Sequence, residues 1–194
     1  MRSVDDIRAA LAAHAPRVLI GRQRAAVAIV LHEGAAGAEM LFIERAERFG
    51  DPWSGQMAFP GGRMDPGDAD ERAAAERETL EEVGLDLAGA ERLGRLDDLH
   101  AGIRLVAPLV LSPFVYRIDA RPALTPNHEV RETLWVPLRT LSDPAHHVDH
   151  RWALSRFPGI LVGEPGRHVV WGLTYQVLEG LYGIAGVALR RSAG

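Results

Sequence analysis

Glu78, Glu81 and Glu82 fall in the run Arg77-Glu78-Thr79-Leu80-Glu81-Glu82-Val83-Gly84-Leu85, at spacings of three and four residues. Side chains so spaced share one face of a helix, so the run predicts a patch of three carboxylates. Left alone, these charges repel. A hard divalent cation, Mg²⁺ or Mn²⁺, relieves the repulsion, prefers carboxylate oxygen, keeps several waters and bridges to substrate phosphates. Diphosphate chemistry is the natural use of such a patch. Upstream, Phe59-Pro60-Gly61-Gly62 reads as a loop without regular structure, whose backbone can approach a ligand closely and offer a carbonyl to the metal.

The carboxylates need a helix bounded at both ends, and the flanking residues supply one. Asp68 is placed to cap its start, Asp70 and Glu71 complement the positive N-terminal end, and Ala73, Ala74 and Ala75 favour the helix interior. Gly84 is expected as a left-handed C-terminal cap. Ser3 and Asp6 form a capping box for a short amphipathic helix through Val4, Ile7, Ala10 and Leu11, stopped at Pro16, suited to packing or to a homodimer. Apolar runs at Ala25–Leu31 and Met40–Glu44 read as strands joined by a flexible Gly/Ala-rich connection over His32–Glu39, with Arg45 ending the second. Further strands are predicted at Arg92–Leu96, at Leu105–Ile118 with a break at Ser112-Pro113, and at Arg131–Val136. A C-terminal helix is predicted over Leu173–Leu189, with Leu173, Val177, Leu181 and Ile184 at helical spacing. Strands, carboxylate helix, strands and a last helix predict an α/β sandwich, a mixed sheet covered on both sides; the strand order is not legible.

Composition narrows the possibilities. A chain of 194 residues with 47% hydrophobic and 25% charged residues predicts a single globular domain over 1–194, with a helical extension over 1–20 and a terminal helix over 171–190. No apolar run is long enough to span a bilayer and the start does not read as a signal peptide, so no membrane association and a cytoplasmic location are expected. Zero cysteines exclude disulfides, thiol catalysis and thiolate metal sites. A net charge of −4 speaks against nucleic acid as a partner. None of the 22 basic residues is lysine, so a Schiff base and a P-loop lysine are excluded. Cationic contacts to phosphate must come from arginine, whose guanidinium binds phosphate oxygens bidentately.

Gly62, Arg77, Glu78, Glu81, Glu82, Gly84 and Leu85 resemble the Nudix hydrolase box, Gly-x5-Glu-x7-Arg-Glu-apolar-x-Glu-Glu-x-Gly-apolar. Thr79 stands at the aliphatic position, Asp68 at the first glutamate, and eight residues instead of seven separate Asp68 from Arg77. The resemblance implies the Nudix α/β/α sandwich and a metal-ligand carbonyl at Gly62. Leu41-Phe42-Ile43-Glu44-Arg45, Ser54-Gly55-Gln56-Met57-Ala58-Phe59-Pro60-Gly61-Gly62, Asn127-His128-Glu129-Val130, Trp135-Val136-Pro137-Leu138 and Trp171-Gly172-Leu173-Thr174 resemble the coenzyme A diphosphatase branch. That branch has Thr-x-Arg-Ser where this chain has Ile43-Glu44-Arg45-Ala46, and its second arginine corresponds to Arg48. The resemblance extends from about Ala25 to Leu181 and implies a small nucleoside diphosphate derivative, coenzyme A or its acyl form, as substrate. ADP-ribose, an NDP-sugar, a nucleotide, or a non-catalytic sensor of the same fold are the alternatives.

On this reading Glu78 and Glu82 bind divalent ions, and Glu81 is a further ligand or the base that deprotonates water. Glu129 is a second candidate base from a distant loop, and Arg77 orients the carboxylates. Arg45 and Arg63 are candidate phosphate contacts, and Trp53 a surface for an adenine. Trp135 and Trp171 read as core packing, and Asp97-Asp98 as a solvated turn. His146, His147 and His150 follow the turn signal Ser142-Asp143-Pro144 and lack an obvious fourth ligand, so Ala145–Phe157 is expected to be a polar loop or lid near the substrate rather than a zinc site.

Overall fold

The structure, a computed structural model, describes residues 3–35, 37–50, 53–101 and 109–189. Residues 105–108, the start of one expected strand, lie outside this set. In chain order the elements are α1 (Val4–Ala12), β1 (Gln23–Gly34), β2 (Gly37–Arg45), β3 (Met57–Ala58), β4 (Gly61–Arg63), α2 (Glu71–Val83), β5 (Glu91–Arg95), β6 (Leu99–Ala101), β7 (Leu109–Ile118), β8 (Val130–Pro137), α3 (Leu138–Ser142), β9 (His147–Trp152), β10 (Ser155–Leu161), β11 (Val169–Trp171) and α4 (Gly172–Ile184).

The main sheet is mixed, ordered β3-β2-β1-β7-β5, with β4 also on β1, β6 on β7 and β8 on β2. β1 is its spine: parallel to β7 and antiparallel to β2 and β4. Its residues alternate between two apolar faces. Ala26, Ala28 and Val30, with Leu41 and Ile43 of β2, pack on Ala74, Ala75 and Val83 of α2. Ile29 and Leu31, with Met40 and Phe42, pack on Val4, Ile7 and Leu11 of α1 and Tyr175, Leu178 and Leu181 of α4. The small alanines on α2 bring its axis close to the sheet. The result is the α/β/α sandwich with a mixed sheet.

Several local expectations change. Gly61-Gly62 belongs to the short strand β4, because its backbone pairs with Ala26 and Val27. Most of His32–Glu39 continues the β1–β2 hairpin, paired out to Gly34 and Gly37, instead of forming a loose connection. Ser112-Pro113 does not break β7. The Pro113 carbonyl accepts from the Leu96 N–H at 3.0 Å, so its nitrogen faces the same edge, where the partner changes from β5 to β6. A missing donor is tolerated there. α4 stops at Ile184, short of Leu189, as the chain enters Gly186 with φ +72°. The lid expected over Ala145–Phe157 is largely two strands, β9 and β10, which with β11 make a separate three-stranded antiparallel sheet. Its mixed polar sequence hid the strand period.

The largest correction is Asp98, fully buried instead of solvated. It occupies the gap between β5 and β6, accepting from Arg95 at 2.5 Å, the Ser112 hydroxyl at 2.9 Å, Arg24 at 3.0 Å and the Leu19 N–H at 2.9 Å. Burial alone would raise its pKa, but these donors outweigh it and hold the carboxyl below the usual carboxylate range. Folding thus favours the ionised form. Its contribution is complete above the unfolded value near ~4 and lost as pH falls through the lower folded value. Asp98→Asn should cost about 1–3 kcal/mol at pH 7, by removing the charged acceptor shared by two half-buried guanidinium groups. Urea unfolding should also show the variant losing less stability than the wild type as pH is lowered; parallel acid limbs would contradict the assignment.

Candidate active site

The site is assembled on α2. Asp70, not Asp68, caps the helix, its carboxylate accepting from the Ala73 N–H at 2.8 Å. Gly84 ends it at φ +70°, its N–H donating to the Leu80 carbonyl. Thr79, at the family's aliphatic position, is fully buried, and its hydroxyl donates to the Ala75 carbonyl at 2.7 Å. A polar atom is thereby tolerated in the apolar seam.

Asp68 has a different task. Arg77 donates to both its oxygens, at 2.9 and 3.0 Å, in a bidentate pair. The remaining guanidinium donors reach Glu78 and Glu81, each at 3.1 Å, and the Arg63 carbonyl at 3.1 Å. One arginine therefore orients three acids and the strand beneath them. Sequence reading found its link to Glu78 and Glu81 but not to Asp68, whose nine-residue separation follows no helical or strand period.

Gly61 and Gly62 serve the site in distinct ways. A side chain at Gly61, with φ +148°, would collide with the Ala26 carbonyl, while a Cβ at Gly62 would overlap the Glu78 carboxyl. The Gly61 N–H donates to Glu82 at 2.8 Å. Burial pushes the Glu82 carboxyl up to about 7, the Gly61 hydrogen bond opposing and the Glu78 charge adding to the rise. Burial likewise raises Glu78, against the pull of Arg77. Both shifts mark a site short of positive charge.

The loop after β7 closes the other side. Thr125 and Asn127 donate their N–H groups to the Val83 and Glu82 carbonyls, both at 2.9 Å. Glu129 is thereby brought within charge range of Glu78 and Glu82. It accepts from Arg48 at 2.6 Å, which also contacts His128 at 3.1 Å. Arg45 lies within charge range of Glu82. Arg63 enters through its backbone, and its side chain is exposed. Trp53 lies further out, 40% exposed, beside Trp152.

The carboxylate patch suits a hard divalent ion: all-oxygen donors, a buried acid with a raised pKa, and a glycine that leaves room at Glu78. Glu44, Glu132 and His168 bring donor atoms within 4.8 Å of one another elsewhere, but their chemistry is less suitable. Arg167 already donates to Glu44 at 2.5 Å and Glu132 at 2.7 Å. His168 Nδ1 accepts from the Glu164 N–H at 3.0 Å, which leaves the hydrogen of the neutral ring on Nε2, toward the carboxylates. The histidines at the start of the second sheet and just before it are spent separately. His146 meets the Leu161 carbonyl, His147 the Leu141 carbonyl, and His150 stacks on Trp171.

The NUDIX domain family model matches residues 21–157, well over half of the chain, and the chain belongs to the Nudix family. It is 35% identical over 134 residues to the uncharacterized Nudix hydrolase NudL of Photorhabdus laumondii, covering 66% of this chain and 67% of that protein. It is 31% identical over 157 residues to human mitochondrial coenzyme A diphosphatase NUDT8, covering 80% of this chain and 66% of that protein. The shares of the first curated relatives matched run from 33% to 67% of their own length. A MutT/nudix family protein from Enterococcus faecalis shares the fold, with a TM-score of 0.58, 17% identity, and coverage of 88% of this chain and 64% of that one. Divalent metal ions are in general use in the family. Among the described residues no helix is long and apolar enough to cross a membrane.

Gly62→Ala provides a test of the packing around Glu78. The clash is with the far end of a flexible side chain, so the fold should survive with only a small change in melting temperature. Displacing Glu78 should weaken metal-dependent turnover by about 10–100-fold, measured as the Mg²⁺ concentration for half-maximal rate. An unchanged metal requirement would remove Glu78 from the ligand set.

Proposed function

We propose that this protein is a divalent-metal-dependent diphosphatase acting on a nucleoside diphosphate derivative, coenzyme A or acyl-coenzyme A. The products are 3′,5′-ADP and the matching 4′-phosphopantetheine. The observation that carries the reading is the acidic face of α2, with Arg77 holding Asp68, Glu78 and Glu81 beside Gly62. Coenzyme A as substrate is supported by the likeness to the human diphosphatase and by the run Ser54–Gly62.

Glu78, Glu82 and the Gly62 carbonyl would hold the Mg²⁺ or Mn²⁺, with Glu81 as a further donor. Such an ion supplies charge neutralisation at the diphosphate and a more acidic water. The chain's own residues do the rest. Water adds to one phosphorus, the bridging P–O bond breaks, and a carboxylate accepts the water proton. Glu81 and Glu129 are the candidates for that acceptor, each held by an arginine. Arg77 is a positioning residue, because its donors are occupied by protein acceptors. Arg45 and Arg63 contact substrate phosphates, and Trp53 the nucleoside.

Hydrolysis of coenzyme A, acetyl-coenzyme A, ADP-ribose, NADH and deoxynucleoside triphosphates should be measured with Mg²⁺ and with Mn²⁺, using Glu82→Gln as control. The coenzyme A forms should be preferred and their turnover lost in the control. Preference for another diphosphate would discard the substrate, and no turnover anywhere would favour a nucleotide sensor. Glu81→Gln should lower kcat by roughly 10²–10⁴-fold if it is the base, with folding intact by circular dichroism. An unchanged rate would transfer that role to Glu129.

A further inference from the structure

Trp53 and Trp152 come from segments about a hundred residues apart in sequence, yet their indoles lie nearly parallel, 9° between planes with centroids 6.3 Å apart. The indole and phenyl rings that meet Trp171 deeper in the cluster are tilted instead. Trp152 meets Trp171 at 41° and 5.6 Å, and Phe157 meets Trp171 at 44° and 5.5 Å. Trp171 is buried and leads directly into α4, so it anchors Trp152 from behind. Trp53 remains 40% exposed. A parallel aromatic pair at the surface, backed by a fixed buried ring, offers π faces at little cost in conformational entropy.

Its position connects it to the phosphate chemistry. The segment after Trp53 bonds to the end of β2, with the Arg45 N–H donating to the Gln56 carbonyl and the Gly55 N–H to the Arg45 carbonyl, both at 3.0 Å. It then enters the glycine strand that meets Glu78 and Glu82. His150 stacks on Trp171 at 4.6 Å, so the buried ring is itself held in place.

We propose that Trp53 and Trp152 form the stacking surface for the heterocyclic base of the substrate, so that the β9–β11 sheet carries base recognition while α2 carries the diphosphate. The proposal rests on the diphosphatase reading above and extends it to Trp152. Stacking uses the π face, which every base has, so the surface favours nucleotides over base-free diphosphates without strongly distinguishing adenine from guanine.

Binding of ADP, GDP and inorganic pyrophosphate to the full chain with Mg²⁺, measured by calorimetry, tests this without requiring turnover. Trp53→Ala and Trp152→Ala should each weaken ADP and GDP by about tenfold and leave pyrophosphate unchanged, while Trp152→Phe retains most of the affinity. ADP binding unaltered in both alanine variants would overturn the proposal, as would an equal loss for pyrophosphate. So would a change from dimer to monomer in sedimentation with ADP binding intact, which would give the surface to a second copy. If the wild type hydrolyses no diphosphate yet binds ADP through these indoles, the hydrolytic reading fails and the stacking surface stands.

Discussion

The constraint that organises this protein is the crowding of carboxylates on one face of α2. Glu78 and Glu81 on that face coexist with Asp68 from the preceding loop because the Arg77 guanidinium has enough donors, in a rigid fork, to engage all three. Glu82 is excluded from that arrangement. It is buried, its one backbone donor comes from Gly61, and its raised pKa shows that a hydrogen bond does not compensate for lost water. A compact divalent charge would complete what one arginine cannot.

The sheet is shaped around that need. β1 carries alanines toward α2, which lets the helix approach closely, and pairs with Gly61-Gly62 on an edge where side chains would collide with the strand or with Glu78. Buried charge recurs at Asp98, where two arginines, a hydroxyl and a backbone N–H meet one carboxylate between β5 and β6. The two clusters differ in outcome. Asp98 has its donors and stays ionised below the usual range, whereas Glu82 lacks them and is driven the other way.

A third ionic cluster fastens the small sheet to the large one. Arg167, just before β11, binds Glu44 of β2 and Glu132 of β8. Burial would raise Glu44, but the Arg167 guanidinium outweighs it and the carboxyl is held low. Glu44 and Arg45 are neighbours on one strand with different tasks. Arg45 lies in range of Glu82 while Glu44 meets the β11 hairpin, so β2 joins the carboxylate site to the sheet that carries Trp152.

The sequence by itself determined the acidic helix and its left-handed glycine cap, the α/β/α layering and the Nudix family, because those rest on local spacing. Glutamates three and four apart must share a helical face wherever the helix is placed, and alternating apolar runs must bury two sheet faces. Only the tertiary structure decided what Asp68, Asp98 and Trp152 do. Their partners lie at separations with no period: Asp68 with Arg77, Asp98 with Arg24, Trp152 with Trp53. The strands β9 and β10 were hidden for a related reason. Their polar, histidine-rich sequence becomes sheet through pairing with β11 and stacking against Trp171, interactions that exist once the chain has closed on itself.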